Sequence, residues 1–333
     1  MDKHLSVRRS MDSVTAMPRR GRARVQIQTR AGVMTRAKAT LHRMLCTVAA
    51  TLTLFAVSVP VNAESSVWQV SKGDETVFLG GTIHLLRAQD YPLPEAYAAA
   101  YDASDRLFFE IDQSQMADMG VQARMMQRLT YQDERTLQSV LDDETYAALA
   151  AYAENAGLPM AMMQKFKPGM LLTTLSLIEF QSRGFTPQGV DAYYSTRAMG
   201  DGKTRGALET IDEQIDMLAG MGEGYESEFV AYSLRDLETI GEAMDEMLLA
   251  WRSGDLEALE SQFIKPMLEE APELYESMLV ERNNNWVPQI EAMFDEPGTE
   301  FVLVGAAHLV GEHGVLAMLS DRGYEVSKVG TAD

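Results

Sequence analysis

Cysteine is almost absent from this chain. Cys46 is the sole thiol in 333 residues, and it sits in an apolar run near the N terminus. Everything after that run therefore lacks disulfides, thiolate metal sites and cysteine nucleophiles. Histidine is nearly as scarce: of five, only His84, His308 and His313 lie beyond residue 63. Any imidazole chemistry in the body of the protein must use these three. No His-Glu-x-x-His, Gly-x-Ser-x-Gly or phosphate-binding glycine loop occurs, and His308 to His313 is one residue too long for the inverted zincin pattern. A standard zincin, a serine hydrolase and a nucleotide enzyme are all unsupported.

Basic residues are also rare after the first sixty positions. Residues 1–63 carry 11 of the 29 basic and 2 of the 49 acidic side chains, so 18 basic and 47 acidic residues remain, a net charge of −29. That balance argues against a nucleic-acid or anionic-membrane partner. Residues 1–43 are basic, Met44 to Val59 carry no charge, and Val61-Asn62-Ala63 places small residues where a signal peptidase reads. These are the parts of a signal peptide. The expectation is cleavage after Ala63 and export to the periplasm or beyond. The alternative is an uncleaved anchor, the one route to membrane association. The long basic stretch also allows a true start at Met34. Residues 64–333 are expected to form a single domain, with ample length for a core.

One pattern occurs twice in that body. The first copy is Val77-Phe78-Leu79-Gly80-Gly81-Thr82-Ile83-His84, and the second is Phe301-Val302-Leu303-Val304-Gly305-Ala306-Ala307-His308. Each is an apolar, β-rich run that breaks at glycine, which reads as a buried strand entering a tight loop. Both histidines should then sit just past strand ends, where open α/β sheets build their sites. Further strands are expected at Val67 to Val70, Arg106 to Phe109, Thr204 to Ala207 and Tyr324 to Val329. A Lys72-Gly73-Asp74 turn joins the first two strands. A helix from Pro94 to Ser104 makes a βαβ unit with its neighbours. Residues 115–183 and 212–295 carry helical periodicity, with a capping box at Thr210 and Glu213. The fold class is α/β: a central sheet from N- and C-terminal βα halves, helices around it, and a large helical middle. The 17 methionines after residue 63 are spread through the helices as core filler.

Two imidazoles plus a carboxylate can hold a divalent ion such as Zn, Mn or Co, leaving room for an activated water. Glu110, at the end of the Arg106 strand, is the matching carboxylate. Asp191 and Glu209 fall near helix starts, where capping alone would explain them. Arg282 could fix a carboxylate or an oxyanion, but spacing alone favours an ordinary helix-surface arginine. Without a metal, His84 and Glu110 could act on water as a base pair. Iron or heme held by the histidines is a further reading, as is a binding module with an inert centre.

The ordered blocks resemble the TraB/GumN family, which includes the Tiki-type metalloproteases of animals and is distantly similar to erythromycin-esterase and ChaN-like proteins. The resemblance rests on Leu79 to His84, Phe109-Glu110-Ile111-Asp112, Gln188-Gly189-Val190-Asp191-Ala192-Tyr193 and Leu208-Glu209-Thr210 with Gln214. It continues in Glu281-Arg282-Asn283 and in Val304 to Gly311 with Gly314-Val315. It implies a sheet of two βα halves and an active centre of His84, His308 and Glu110, with Arg282 facing the same cleft. Thr82, Asp191, Glu209 and Asn283 would support that centre. The implied activity is metal-dependent hydrolysis of peptides by an exported protein; relatives that bind or sequester peptides leave the non-catalytic reading open. The second loop has Ala306-Ala307 where the first has Thr82-Ile83, so the two halves differ in hydroxyl content.

Overall fold

The computed structural model describes residues 65–330. The expected leader, its cleavage site and the alternative start lie outside the described residues. Among the described residues no helix is long and apolar enough to cross a membrane.

Six strands form one mixed sheet. They are β1 (Val67–Lys72), β2 (Glu75–Thr82), β3 (Arg106–Phe109), β4 (Thr204–Ala207), β5 (Glu300–Gly305) and β6 (Glu325–Lys328). Their spatial order is β4-β3-β5-β2-β1-β6. The four strands β4, β3, β5 and β2 run parallel, and β1 and β6 add antiparallel pairs at one side. The β1–β2 hairpin closes with Lys72 opposite Glu75, and Gly73 takes the left-handed backbone that such a turn needs.

β5 is the central strand and shows why the apolar runs lack alternation. Phe301 and Leu303 pack into one core cluster with Leu107, Phe109, Tyr97 and Trp251. Val302 and Val304 pack into the opposite cluster with Val77, Leu79, Trp286 and Leu319. A strand covered on both faces must be apolar at every position. The expected unit of strand, helix and strand is present, as β2, α1 (Glu95–Ala103) and β3. However, β5 lies between β2 and β3, so the C-terminal strand is inserted into the N-terminal half.

The helical middle breaks into more pieces than its periodicity predicts. The elements that matter for the site are α2 (Pro168–Ser182), α3 (Val190–Asp201), α4 (Ile211–Gly220) and α5 (Glu226–Ser253). They are followed by α6 (Glu281–Met293) and α7 (Val315–Asp321). Thr210 caps α4 through the predicted box with Glu213. Part of this middle has its own core, built from Leu137, Leu149, Leu171, Leu175, Phe229 and Leu237.

Candidate active site

The C-terminal ends of the four parallel strands carry the candidate residues in spatial order. β4 runs through Leu208 into Glu209, β3 into Glu110, β5 into Gly305 and His308, and β2 into His84. Glu209 and Glu110 are joined by a backbone hydrogen bond of 2.9 Å, from the Glu209 N–H to the Glu110 carbonyl. Two helices complete the site. The first turn of α3 brings Asp191, and the first turn of α6 brings Arg282 and Asn283.

Arg282 lies at the centre. Its Nε and Nη2 donate to the two oxygens of Glu209 at 3.0 and 2.7 Å, and Nη2 also donates to Glu110 Oε2 at 2.6 Å. Nη1 donates to His308 Nε2 at 2.9 Å and to the Met278 carbonyl at 3.1 Å. A guanidinium has five N–H groups, and these five contacts use them all. The guanidinium also lies over the Trp286 ring at 4.6 Å, and that ring is 4.4 Å from the His308 ring. Trp286 follows Arg282 by four positions and Met278 precedes it by four, so helical spacing alone could have placed both beside it.

These contacts decide the protonation of His308. Its Nε2 accepts from Arg282, so Nδ1 carries the hydrogen and donates to Asn283 Oδ1 at 2.7 Å. Asn283 Nδ2 donates to the carbonyls of His308 and His313, which fixes the amide orientation. Burial pushes the His308 pKa down, to about 3, with Glu110 opposing and Arg282 reinforcing, so the ring is neutral at pH 7. Glu110 behaves oppositely. Burial pushes its pKa up, but His308, Arg282, His84 and the Gly305 N–H outweigh burial and bring it to about 2. Gly305 N donates to Glu110 Oε1 at 2.7 Å and Gln214 Nε2 to Oε2 at 3.1 Å.

His84 is built differently. Its side chain is 62% exposed, and Nδ1 meets Asp191 Oδ1 at 2.9 Å. The Asp191 carboxylate raises the His84 pKa from 6.5 to about 9, against the lowering effect of desolvation. Asp191 is itself buried and held below the usual carboxylate range: burial would raise it, and the His84 charge and hydrogen bond lower it. Thr82 lies 2% exposed on the cleft wall. Its hydroxyl is near enough to favour the Asp191 anion but makes no well-formed hydrogen bond.

The two Gly-x-x-His loops are therefore not equivalent, and the register shows why. β2 and β5 pair with Thr82 opposite Gly305 and Gly81 opposite Val304. The repeat is offset by one residue, and a one-residue offset moves side chains to the other face. After the offset, His84 enters an open loop, while His308 enters a short 3-10 turn and is 4% exposed. The three expected active-centre residues still converge. A Cβ on Gly305 would lie 3.2 Å from Glu110 Oε1, 3.5 Å from His308 Cδ2 and 3.9 Å from His84 Nε2. His313 is exposed; its Nδ1 lies 3.0 Å from the Tyr275 hydroxyl.

Among the described residues no group of three or more His, Cys, Asp or Glu side chains could hold a metal. The guanidinium of Arg282 stands where a cation between Glu110, Glu209 and His308 would stand, and it occupies the His308 lone pair. Arg282 likewise has no spare N–H for an oxyanion unless one of its five bonds is released. The donor set does not close on a metal as placed.

The position of His84 depends on Gly189. A Cβ there would lie 2.3 Å from the Ile83 carbonyl oxygen and 2.4 Å from the carbonyl group of His84. The next residue, Val190, donates its N–H to the Ile83 carbonyl at 3.0 Å. Gly189→Ala must push the His84 loop away from Asp191. If His84 acts in catalysis, kcat/KM should fall about 10²-fold, the cost of misplacing a reacting group by about an ångström. Steady-state kinetics against a reference substrate would measure it, and unchanged kinetics would show that the loop position is unimportant.

The cleft has about 300 Å³ of space. Glu110, His84, His308 and Arg282 form its polar end, and apolar side chains from α2, α5 and the stretch before α6 form the rest. The fold and site thus define an α/β protein whose mostly apolar cleft has its charged end at the C-terminal edge of a parallel sheet segment. The chain belongs to the TraB/PrgY/gumN family, whose model matches residues 66–328. It is similar to the metalloprotease TIKI2 of Danio rerio, with 23% identity over 303 residues that cover 75% of this chain. The same stretch covers 57% of TIKI2, so the chain spans little more than half of that relative's length. No solved structure matches.

Proposed function

We propose that the protein is a hydrolase of peptide bonds in which His84 handles the proton of the attacking water. The observation that carries this reading is the Asp191–His84 pair, which holds Nδ1 and leaves His84 Nε2 without a hydrogen-bond partner among the described residues, on the Glu110 and Gly305 side of the cleft. With Nδ1–H donated to Asp191, neutral His84 presents the Nε2 lone pair to water. Asp191 stabilises the imidazolium that forms and fixes the ring orientation. The peptide class is supported by the relation to a metalloprotease. The basic and apolar segments before Glu64 support action outside the cytoplasm.

A second reading has its own support. Glu110, Asp191 and Glu209 gather three carboxylates around the strand ends, Glu110 in the cleft and the other two behind it, against the one guanidinium of Arg282, with His308 neutral. This surplus favours one more positive charge at His84, either a proton or a divalent ion such as Mn, Co or Zn. In the Asp191–His84 pair, a carboxylate orients the imidazole as it does for metal-bound histidines.

Purified protein incubated with a peptide library, with and without EDTA, tests both readings. His84→Ala should reduce turnover by at least about 10³-fold. Turnover indifferent to EDTA supports His84 acting alone. Turnover lost in EDTA and restored by one of the three ions supports the second reading. Saturable peptide binding with no turnover under any condition would sink the hydrolase and leave a binding protein.

A further inference from the structure

The cleft carries a built apolar wall beside the His84 end. Phe180, Met247, Phe263 and Met278 line it while remaining only partly buried against the core. Two of them come from unusual backbone. Glu260–Ile264 and Glu276–Val280 are both π-helical turns, and they supply Phe263 and Met278 respectively. Such turns insert one residue into a helix, rotate the following face, and concentrate at functional sites. The second turn is also tied to the polar end, because the Met278 carbonyl accepts from Arg282 Nη1. Among the described residues no lysine or aspartate lines the cleft, and its charged groups are confined to the His84 end.

Resting on the peptidase reading, we infer that this wall is a specificity pocket for one large apolar side chain, adjacent to the bond held at His84. The volume sets the occupant. About 300 Å³ lies at the small end of ligand pockets. It admits a Leu, Met or Phe side chain with its flanking backbone, and no folded segment. The chemistry sets the class: a charged side chain placed against this wall would lose its water without gaining a partner. The methionines set the tolerance. Their flexible thioethers adapt to different shapes, so the pocket accepts several large apolar residues and rejects polar ones.

N-acetylated tripeptide amides of the form Gly-X-Gly, with X as Phe, Leu, Met, Ser, Asp or Lys, test the inference on the full protein. Cleavage is followed by mass spectrometry, and binding by calorimetry on the His84→Ala variant. Phe, Leu and Met peptides should exceed the Ser and Asp peptides by at least about 10-fold in kcat/KM. Met247→Glu should invert the Phe-to-Lys ratio. Phe263→Ala, a milder change, should weaken the Phe preference while the thermal transition is retained. Cleavage without apolar preference, or an unchanged ratio in a folded Met247→Glu protein, overturns the pocket and leaves the peptidase standing. Apolar-selective binding without cleavage supports the pocket and overturns the peptidase. Preferential turnover of a long-chain acyl ester over every peptide overturns the assignment of the occupant.

Discussion

Arg282→Met is expected to destabilise the protein by about 3–5 kcal/mol, the range for breaking a buried ion pair from one side. For a domain of this size that corresponds to a fall in Tm of roughly 5–10 °C. The cost arises from what is left behind. Glu110 and Glu209 would face each other at the strand ends without their shared cation, and His308 Nε2 and the Met278 carbonyl would lose their donor. Methionine fills much of the volume, so the loss reports charge and hydrogen bonding and not a cavity. Arg282→Lys should recover little. An ammonium donates from one point and cannot span two carboxylates, an imidazole and a carbonyl. Acid behaviour gives a second readout. Glu110 is depressed in the folded state, from 4.5 to about 2. Its contribution is present above pH 4.5 and is lost as pH falls towards 2. That acid-dependent slope should shrink in Arg282→Met. A Tm drop below roughly 3 °C would show that Arg282 is an ordinary helix-surface arginine.

Asp191→Asn should leave the fold intact and lower kcat/KM by about 10³- to 10⁴-fold, as expected when the partner that fixes a catalytic histidine's tautomer is neutralised. The pH profile separates this from a structural effect. In the wild type, His84 is raised from 6.5 to about 9 by Asp191. If neutral His84 is the base, kcat/KM should climb through about pH 9. In Asp191→Asn the residual activity should reach its plateau at lower pH, because the cause of the rise is gone. Stability follows the same linkage with a defined sign. A raised histidine stabilises the fold fully below pH 6.5, and that contribution is lost as pH rises through 9. The open edge of the ring lets water screen the pair, so the slope is shallow, and the variant should lack it. A wild-type profile flat from pH 6 to 10 would remove His84 from the proton transfer.

Much of the architecture was legible because it is local. The apolar runs at Val77 and Phe301 read as buried strands, the Thr210 and Glu213 box as a helix start, and Gly73 as a turn, each through backbone chemistry spanning a few residues. The three residues singled out for the centre, His84, Glu110 and His308, do converge at Gly305. The helical middle was less legible. Gly157-Leu158-Pro159 marks the break at 156–159 locally, but the amphipathic periodicity continues through the break at 129–136. The cleft wall was invisible for a related reason: Phe263 and Met278 face the site through π-helical turns, which change helical phase without a signature in composition.

By itself the sequence established an α/β chain with almost no thiol and three histidines after residue 63, two of them at strand ends. Tertiary structure decided how those histidines differ. Pairing β2 and β5 one residue out of step with the repeat left His84 open beside Asp191 and His308 buried beneath Arg282. It also decided that Arg282, an ordinary surface residue by spacing alone, holds the centre together. Its partners lie 172, 73 and 26 residues away, at Glu110, Glu209 and His308. Local propensity cannot encode contacts at that separation; the strand order that places three C-terminal ends side by side does.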